Sequence, residues 1–186
     1  MKRIFDVVIS SILGIVLLIP MMIIALIVKS ESKGPVFFWS DRVGKGNVIF
    51  KMPKFRTMRK DIPVVATHLL TNATEYITPV GSFLRKTSLD ELPQLWSILL
   101  GDMSLVGPRP ALFNQEDLIF LRKKYGIESL TPGLTGWAQV NGRDELSIAE
   151  KVQYDAEYLK KQSFWFDVMI INLTLLKVIR QSCISH

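Results

Sequence analysis

The sequence predicts a mainly helical α+β protein, monotopic in a membrane, with an N-terminal re-entrant helix, a short β-hairpin and amphipathic interfacial helices. Three observations predict this class: a long uncharged apolar run near the N-terminus, one stretch that alternates around a glycine-containing turn, and helical patterns in most of the remainder. No repeat, low-complexity tract or linker follows residue 33. We therefore expect a membrane helix with its flanks over residues 1–33 and one compact domain over residues 34–186.

The apolar run covers Val7 to Val28, which is 22 consecutive residues without a charge. At about 1.5 Å per helical residue, such a run reaches across a hydrocarbon layer roughly 30 Å thick. A cleaved signal peptide is the alternative, but this run is longer than a signal core and no small-residue cleavage site follows it. We expect the segment to stay in a membrane.

Pro20 lies inside the apolar run and predicts a kink just before it, because proline lacks the amide hydrogen and clashes with the preceding turn. Basic residues lie at both ends of the run, Lys2 and Arg3 before it and Lys29 and Lys33 after it. Positive charge prefers the cytoplasmic side, so a straight span places one basic cluster on the disfavoured side. The pattern favours a re-entrant helix over a span.

The charge balance indicates negatively charged partners. A formal charge of +6 and a pI near 9.5 fit nucleic acid, anionic lipid head groups or phosphorylated substrates, and composition does not choose among them. The single cysteine, Cys183, excludes an internal disulfide framework, and two histidines are too few for a zinc cluster. A reducing, cytoplasm-facing location fits these counts.

The hairpin is predicted over Pro35 to Met58, where residues alternate around the turn at 44–47 and strands are expected near residues 36–39 and 48–50. Helical patterns follow. A helix is expected over Leu92 to Leu100, and another begins with the capping-box spacing at Ser147 and runs to about Lys161.

The last predicted helix, Phe164 to Arg180, gathers its polar residues on one face and is otherwise large and apolar. Such a helix is typical of a membrane interface, and the alternative is an ordinary core helix of a soluble domain. Trp165 and Phe166 beside Lys160 and Lys161 favour the interface.

Two adjacent carboxylates, Asp90 and Glu91, are the densest candidate for chemistry. Ser88 and Glu91 also have capping-box spacing, and acids are common in a first helical turn for purely structural reasons. Pro93 is tolerated only among the first helical positions, so we expect the helix to begin with Asp90 as its N-cap, where a phosphate would also be favoured. By itself the motif leaves the structural and the catalytic interpretation open.

A basic group surrounds the hairpin and precedes the acidic pair. Its members are Arg42, Lys51, Lys54, Arg56, Arg59, Lys60, Arg85 and Lys86. A solvated or lipid-facing surface is one interpretation. The other is phosphate binding, because Lys54 and Arg56 would share one face of a strand and could clamp a diphosphate.

Rigid loops carry two further arginines. Prolines on both sides restrict Arg109, as expected if its guanidinium is presented at a fixed angle to an oxyanion. Asn141 and Gly142 precede Arg143, but Asn-Gly is also simply a favourable turn.

In combination these motifs resemble the bacterial sugar transferases, also called monotopic phosphoglycosyl transferases. The resemblance covers nearly the whole chain. Its ordered motifs are Lys2-Arg3-x-Phe5-Asp6, the apolar run, Arg42-Val43-Gly44, Lys54-Phe55-Arg56-Thr57-Met58, Ser88-Leu89-Asp90-Glu91-Leu92-Pro93-Gln94, Gly101 to Pro110, Pro132 to Arg143, Tyr154-Asp155 and Asp167.

The resemblance implies a UDP-sugar as donor, undecaprenyl phosphate as acceptor, Mg²⁺ as cofactor, and a site at the cytoplasmic face of the bacterial inner membrane among membrane lipids. It implies no nucleic-acid partner. Asp90 and Glu91 match the catalytic, metal-associated dyad, and Asp90 is the expected nucleophile that displaces UMP from the β-phosphorus. The residues expected to bind substrate phosphates are Lys54, Arg56, Arg85, Arg109, Asn141 and Arg143.

One motif departs from the family pattern. Many members carry Ser-Pro at the helix break, whereas this chain has Ile19-Pro20, which keeps the proline and lacks the hydroxyl. The chain is also expected to be a minimal catalytic form, without the additional N-terminal membrane domain of larger relatives. A glycosyltransferase that releases UDP and a non-catalytic basic membrane adaptor are the alternatives. The sugar, the glycan pathway and the presence of a homodimer are left open by the sequence.

Overall fold

The computed structural model describes residues 1–59, 76–142 and 145–180. The helices are α1 Lys2–Val16, α2 Leu18–Glu31, α3 Pro79–Thr87, α4 Gln94–Leu100, α5 Glu116–Lys124, α6 Trp137–Asn141, α7 Ile148–Lys161 and α8 Phe164–Arg180. The strands are β1 Phe37–Val43, β2 Ile49–Phe55, β3 Ser104–Val106 and β4 Gly133–Thr135. The predicted α+β class, mainly helical with a short antiparallel hairpin, is confirmed.

The first two helices meet at a bend of 61°. Pro20 is the third residue of α2 and has no amide hydrogen to donate to the carbonyl of Val16, so the helical ladder is interrupted there. The amides of Leu17 and Met21 make their bonds on either side of the break, each at 2.8 Å. The kink therefore lies where Pro20 predicted it.

Across the described ranges, no single helix has both the length and the hydropathy to cross a membrane. The α1–α2 pair meets both criteria when its two helices are taken together, with the bend near its middle.

The helix α1 is amphipathic in the reverse sense of an ordinary surface helix. Its buried residues are the polar Asp6 and Ser10, whereas Ile4 and Ile15 are 70% and 77% exposed. Burial of polar groups against the rest of the protein leaves the apolar face outward, where a soluble protein would place charges.

The helix α8 repeats this inverted arrangement. Asp167 is buried against α7 and α1, while Trp165, Leu175 and Val178 are exposed. Thr174 is directed inward, at 2.7 Å from the hydroxyl of Thr135. Asp167 and Thr174, two of the polar residues predicted to share one face, therefore lie on the inner side of the helix, while Gln181 lies outside the described residues.

The hairpin is longer than its predicted strands. β1 and β2 pair antiparallel from Phe37 opposite Phe55 to Val43 opposite Ile49. Cross-strand pairs such as Asp41 with Lys51, 3.2 Å apart, stabilise the polar stretch beyond the predicted strands. The turn at residues 45–47 is a 3₁₀ turn.

A second, parallel pair of strands was not predicted. β3 and β4 have three residues each, too few for a periodic signal. A Cβ at Gly133 would lie 2.1 Å from the amide nitrogen of Gly107, so these backbones approach more closely than any other residue allows. The pair lies beside the main core, which includes Ile98, Met103 and Tyr158.

Two helical predictions have different outcomes. The capping box is confirmed, since the Ser147 hydroxyl accepts from the amide of Glu150 and α7 runs to Lys161. The prediction that Asp90 caps a helix over 92–100 was wrong. α4 begins at Gln94 with Pro93 before it, and Asp90 lies in a separate 3₁₀ turn, Leu89–Glu91.

Candidate active site

The acidic pair lies in the 3₁₀ turn between α3 and α4, and both side chains are buried. Asp90 is 8% exposed and Glu91 is 7% exposed. Ser88 adopts the left-handed conformation with φ 57°, which ends α3 and turns the chain toward β2. In the described part of the chain, the Ser88 side chain makes no cap bond to the turn, so the capping box that was the structural alternative for Ser88 and Glu91 is not formed.

Glu91 is held by two cations from distant segments. Its Oε1 atom accepts a hydrogen bond from Lys54 Nζ at 2.7 Å and another from Arg109 Nη2 at 2.9 Å. Lys54 lies near the end of β2, and Arg109 lies in the loop after β3. Charge-assisted bonds of this kind are short and strong, so Glu91 has a determined orientation.

Asp90 is placed differently. Its Oδ2 atom lies 3.9 Å from Lys54 Nζ, which is within ion-pair range and beyond hydrogen-bond distance. Burial raises the pKa of Asp90, and the charge of Lys54 opposes this shift. Arg85 and Arg109 also lower that pKa, while Glu91 raises it. The carboxylate is thus kept in a cationic field without the short bond that Lys54 makes to Glu91.

The cations of the site are themselves partly removed from water. Burial lowers the pKa of Lys54, and the carboxylate of Glu91 is the main opposing influence. Burial also lowers the pKa of Arg85, opposed by Asp90. Arg85 Nε donates to Thr57 Oγ1 at 2.8 Å, which anchors the guanidinium near the acidic pair.

The structure thus brings together five of the residues predicted from sequence: Lys54, Arg85, Asp90, Glu91 and Arg109. Three cations beside two carboxylates leave an excess of positive charge in a largely buried place. Such an environment suits a ligand that brings negative charge of its own, as a phosphate does.

Arg56 is not brought to this group. β2 ends at Phe55, and the Arg56 guanidinium instead donates to the carbonyl of Ser32 at 2.8 Å and to its hydroxyl at 2.7 Å. The guanidinium is therefore engaged at the end of α2 and does not join Lys54 beside the acidic pair. Arg56 closes the C-terminal end of α2.

The two remaining candidates lie elsewhere. Asn141 ends α6, and its amide donates to the carbonyl of Trp137 at 2.8 Å, a contact within its own helix. Arg143 lies outside the described residues.

Sequence reasoning missed several residues that hold the site. Thr57 fixes Arg85, and Arg122 donates to the carbonyl of Arg109 at 2.8 Å. Thr57 lies inside a motif that was noted for its charges. Nothing in the sequence marks Arg122, which has an ordinary place among basic residues at a helix end.

The acidic pair is also the candidate metal site. Among the described residues no group of three or more His, Cys, Asp and Glu side chains is arranged to hold a metal. Mg²⁺, however, is commonly held by one or two carboxylates together with substrate phosphates and water. Asp90 and Glu91 are adjacent oxygen donors of this kind and fit that mode of binding.

The two carboxylates should respond oppositely to amide substitution. Because the pKa of Asp90 is raised above 3.8 by burial, its ionised form is disfavoured in the folded protein at neutral pH, and the penalty disappears as the pH falls through the raised pKa. Asp90→Asn should therefore leave the free energy of unfolding unchanged or raise it. Glu91→Gln leaves two cations without their shared anion and should lower it by about 1–3 kcal/mol. Urea unfolding in detergent measures the free energy of unfolding of both variants. Equal decreases for the two would contradict the different environments assigned to Asp90 and Glu91.

The chain is similar to known proteins over most of its length. The chain is 41% identical over 187 residues to UDP-glucose:undecaprenyl-phosphate glucose-1-phosphate transferase of Escherichia coli (strain K12), covering 95% of this chain and 40% of that protein. It is 44% identical over 173 residues to the protein of the same description from Xanthomonas campestris pv. campestris, covering 87% of this chain and 35% of that protein.

A shorter relative is matched over most of its own length. The chain is 37% identical over 179 residues to the uncharacterized sugar transferase EpsL of Bacillus subtilis (strain 168), covering 96% of this chain and 87% of that protein. The model of the family described as bacterial sugar transferase matches residues 1–181. On these similarities, which include the segments that build the acidic pair and its cations, the chain belongs to the bacterial sugar transferase family.

Proposed function

We propose that this protein is a phosphoglycosyl transferase that moves a sugar-1-phosphate from a UDP-sugar to undecaprenyl phosphate and releases UMP. The observation that carries the proposal is the buried Asp90 beside a Glu91 whose oxygen is shared by Lys54 and Arg109. Relatives described as undecaprenyl-phosphate sugar phosphotransferases support the substrate classes. The chain spans about two fifths of the length of several of them, so these substrates are part of the proposal.

Asp90 is the proposed nucleophile. One of its carboxylate oxygens attacks the β-phosphorus of the UDP-sugar, and the bond from that phosphorus to the bridging oxygen breaks, so UMP departs with the electron pair. The sugar phosphate is then held as an acyl phosphate on Asp90. In the second step an oxygen of undecaprenyl phosphate attacks the same phosphorus, which restores the carboxylate and forms the lipid diphosphate sugar. Covalent catalysis of this kind divides one difficult transfer into two easier ones.

The contacts favour Asp90 over Glu91 for attack. Glu91 Oε1 is occupied by two hydrogen bonds, which lower its nucleophilicity and fix Lys54 and Arg109 around the site. Asp90 lies 3.9 Å from Lys54 Nζ and within the field of Arg85. An arriving diphosphate can take hydrogen bonds from these cations, and the charge that develops on phosphoryl oxygens is then stabilised by groups already in place.

Mg²⁺ is the proposed cofactor, with Asp90 and Glu91 as the residues that would hold it. When bound, it neutralises charge on the diphosphate, as divalent ions do in phosphoryl transfer. Lys54, Arg85 and Arg109 provide the fixed part of the positive charge.

The α1–α2 pair is proposed to be re-entrant at the cytoplasmic face of the bacterial inner membrane. Lys2, at the start of α1, donates to Asp167 Oδ2 at 2.5 Å, and Arg56 binds the chain at Ser32, just after α2. Both ends of the pair are therefore attached to the same globular unit. A straight span would separate those ends by the thickness of the bilayer. The outward apolar faces of α1 and α8 support contact with membrane lipids.

The nucleotide product distinguishes this proposal from its alternatives. Purified protein with a panel of UDP-sugars and undecaprenyl phosphate should release UMP. Asp90→Asn should keep the fold and lower kcat at least on the order of 10³-fold, because it lacks the nucleophile. Asp41→Asn is the matched control, since that carboxylate is 45% exposed on the hairpin. Release of UDP would instead indicate a glycosyltransferase. If neither UMP nor UDP appeared, that result would favour a non-catalytic adaptor.

The covalent intermediate is tested in the same experiment. Without the lipid acceptor, wild-type protein should release one equivalent of UMP and gain the mass of one phosphosugar. Substantial turnover by Asp90→Asn, in preparations free of wild-type protein, would rule out Asp90 as nucleophile.

Chelation should remove activity without unfolding the protein. Treatment with EDTA should suppress UMP release, and added Mg²⁺ should restore it, because the fixed cations alone leave part of the diphosphate charge unneutralised. Circular dichroism before and after treatment provides the control for folding. Full activity in EDTA would show that the reaction needs no divalent ion.

The proposed membrane topology of the α1–α2 pair is expected to depend on Pro20. Cysteines introduced at Lys2 and Lys33, with Cys183 replaced by serine, should react with an impermeant thiol reagent only from the cytoplasmic side. Pro20→Ala restores an amide donor and should shift position 2 to the opposite side in part of the molecules, since the run is long enough to span. Ile19→Ala, one residue earlier, is the matched control. Labelling of position 2 from outside in the wild-type background would contradict a re-entrant helix.

A further inference from the structure

We propose that Arg122 is a positioning residue which, held by Asp155, fixes the peptide plane of Arg109 and thereby sets the Arg109 guanidinium on Glu91. The consequence of this positioning for catalysis rests on the proposed function, whereas the hydrogen bonds from which the positioning is inferred do not.

The segment that carries Arg109 is held at every carbonyl. Four consecutive carbonyls each accept a hydrogen bond from a different group. They are Pro108 from Gly133 N at 2.9 Å, Arg109 from Arg122 Nη1 at 2.8 Å, Pro110 from Arg42 Nη1 at 3.1 Å, and Ala111 from Val43 N at 2.9 Å. A loop held in this way cannot rotate one peptide independently of its surroundings.

Arg122 holds the peptide that depends most on a side chain. The bond between Arg109 and Pro110 has no amide hydrogen, since proline lacks one, so its carbonyl is the only backbone group there that can be hydrogen-bonded. The orientation of that carbonyl is coupled to ψ of Arg109 and hence to the direction in which its side chain leaves the loop. Arg109 Nη2 lies 2.9 Å from Glu91 Oε1.

Asp155 in turn orients Arg122. Its Oδ2 atom accepts from Arg122 Nε at 3.0 Å and from Nη2 at 2.7 Å, which leaves Nη1 directed at the Arg109 carbonyl. Asp155 is 1% exposed, and burial raises its pKa, with Arg122 opposing the shift. A buried ion pair often stabilises a fold no better than apolar residues of similar size. Orienting the Arg109 loop is therefore a more specific role for the Arg122–Asp155 pair than stabilising the fold.

The decisive variant removes both charges of the pair. Arg122→Met combined with Asp155→Leu leaves no buried unpaired charge, so the protein should unfold near the wild-type temperature. The Arg109 carbonyl still loses its donor, and kcat/KM for UMP release should fall about 10- to 100-fold, as a misplaced catalytic group causes. If the pair served only to stabilise the fold, the double variant would be as active as the wild type once it is as stable. This result would overturn the proposal. If the double variant does not fold, Arg122→Lys, which keeps the charge without the fork, takes its place under the same two outcomes.

A mutant cycle tests whether Arg122 acts through Arg109. In an Arg109→Ala background, the double change should lower kcat/KM by less than about twofold, because the group it positions is already absent. Independent, multiplying losses would show that Arg122 acts by another route.

Hydrogen exchange tests the geometry without reference to activity. The peptide covering residues 107–112 should exchange faster in the double variant than in Leu118→Ala. Leu118 is buried on the same helix, one turn before Arg122, and its truncation lowers stability without removing any of the four hydrogen bonds to the loop carbonyls. Equal exchange at equal distance below each unfolding temperature would overturn the proposal. If wild-type protein releases UDP instead of UMP, the proposed function fails and this measurement still decides the role of Arg122.

Discussion

The Oε1 atom of Glu91 is the point on which the geometry of the site depends. It receives Lys54 from β2 and Arg109 from the loop after β3, two segments separated by more than fifty residues in the chain. A carboxylate oxygen can accept both bonds only if the two cations are held against their mutual repulsion. Backbone contacts between β1 and the Arg109 loop, such as Val43 N to the carbonyl of Ala111 at 2.9 Å, hold both segments where their cations reach this one atom, and Asp90 lies in the resulting field.

The protein reverses the usual distribution of polar and apolar residues on its outer helices. Lys2 and Asp6 on α1 and Asp167 on α8 are directed inward and make specific bonds, whereas isoleucine, leucine, valine and tryptophan side chains remain outside. In water such a surface would associate with other copies or aggregate. With a lipid surface on that side, the same arrangement is favourable, because Lys2, Asp6 and Asp167 find partners in the protein and the outer groups need none.

The strand β3 connects the proposed membrane helix with the site. Asp6 of α1 accepts from the hydroxyl of Ser104 at 2.8 Å and from the amide of Leu105 at 3.2 Å, and Lys2 donates to the carbonyl of Val106 at 3.0 Å. The next residues lead directly into the loop of Arg109. The motif at the N-terminus is therefore more than a pair of charges that sets topology, since its side chains build the support from which the site arginine extends.

The sequence alone determined the class of the fold, the kink at Pro20 and the capped start of α7, because these depend on local chemistry. Proline beyond the first turn interrupts the hydrogen bonds of an apolar helical run, and Ser147 caps its own turn. The acidic pair and most of its cations were assigned to a catalytic site only through the resemblance of their motifs to the family. Only the tertiary structure decided that Arg56 closes α2, that Asp90 lies in a 3₁₀ turn instead of capping α4, and that Arg122 supports Arg109. The partner of a long cationic side chain is whichever acceptor the packed chain brings within reach, and short strands such as β3 and β4 form only where distant backbones meet.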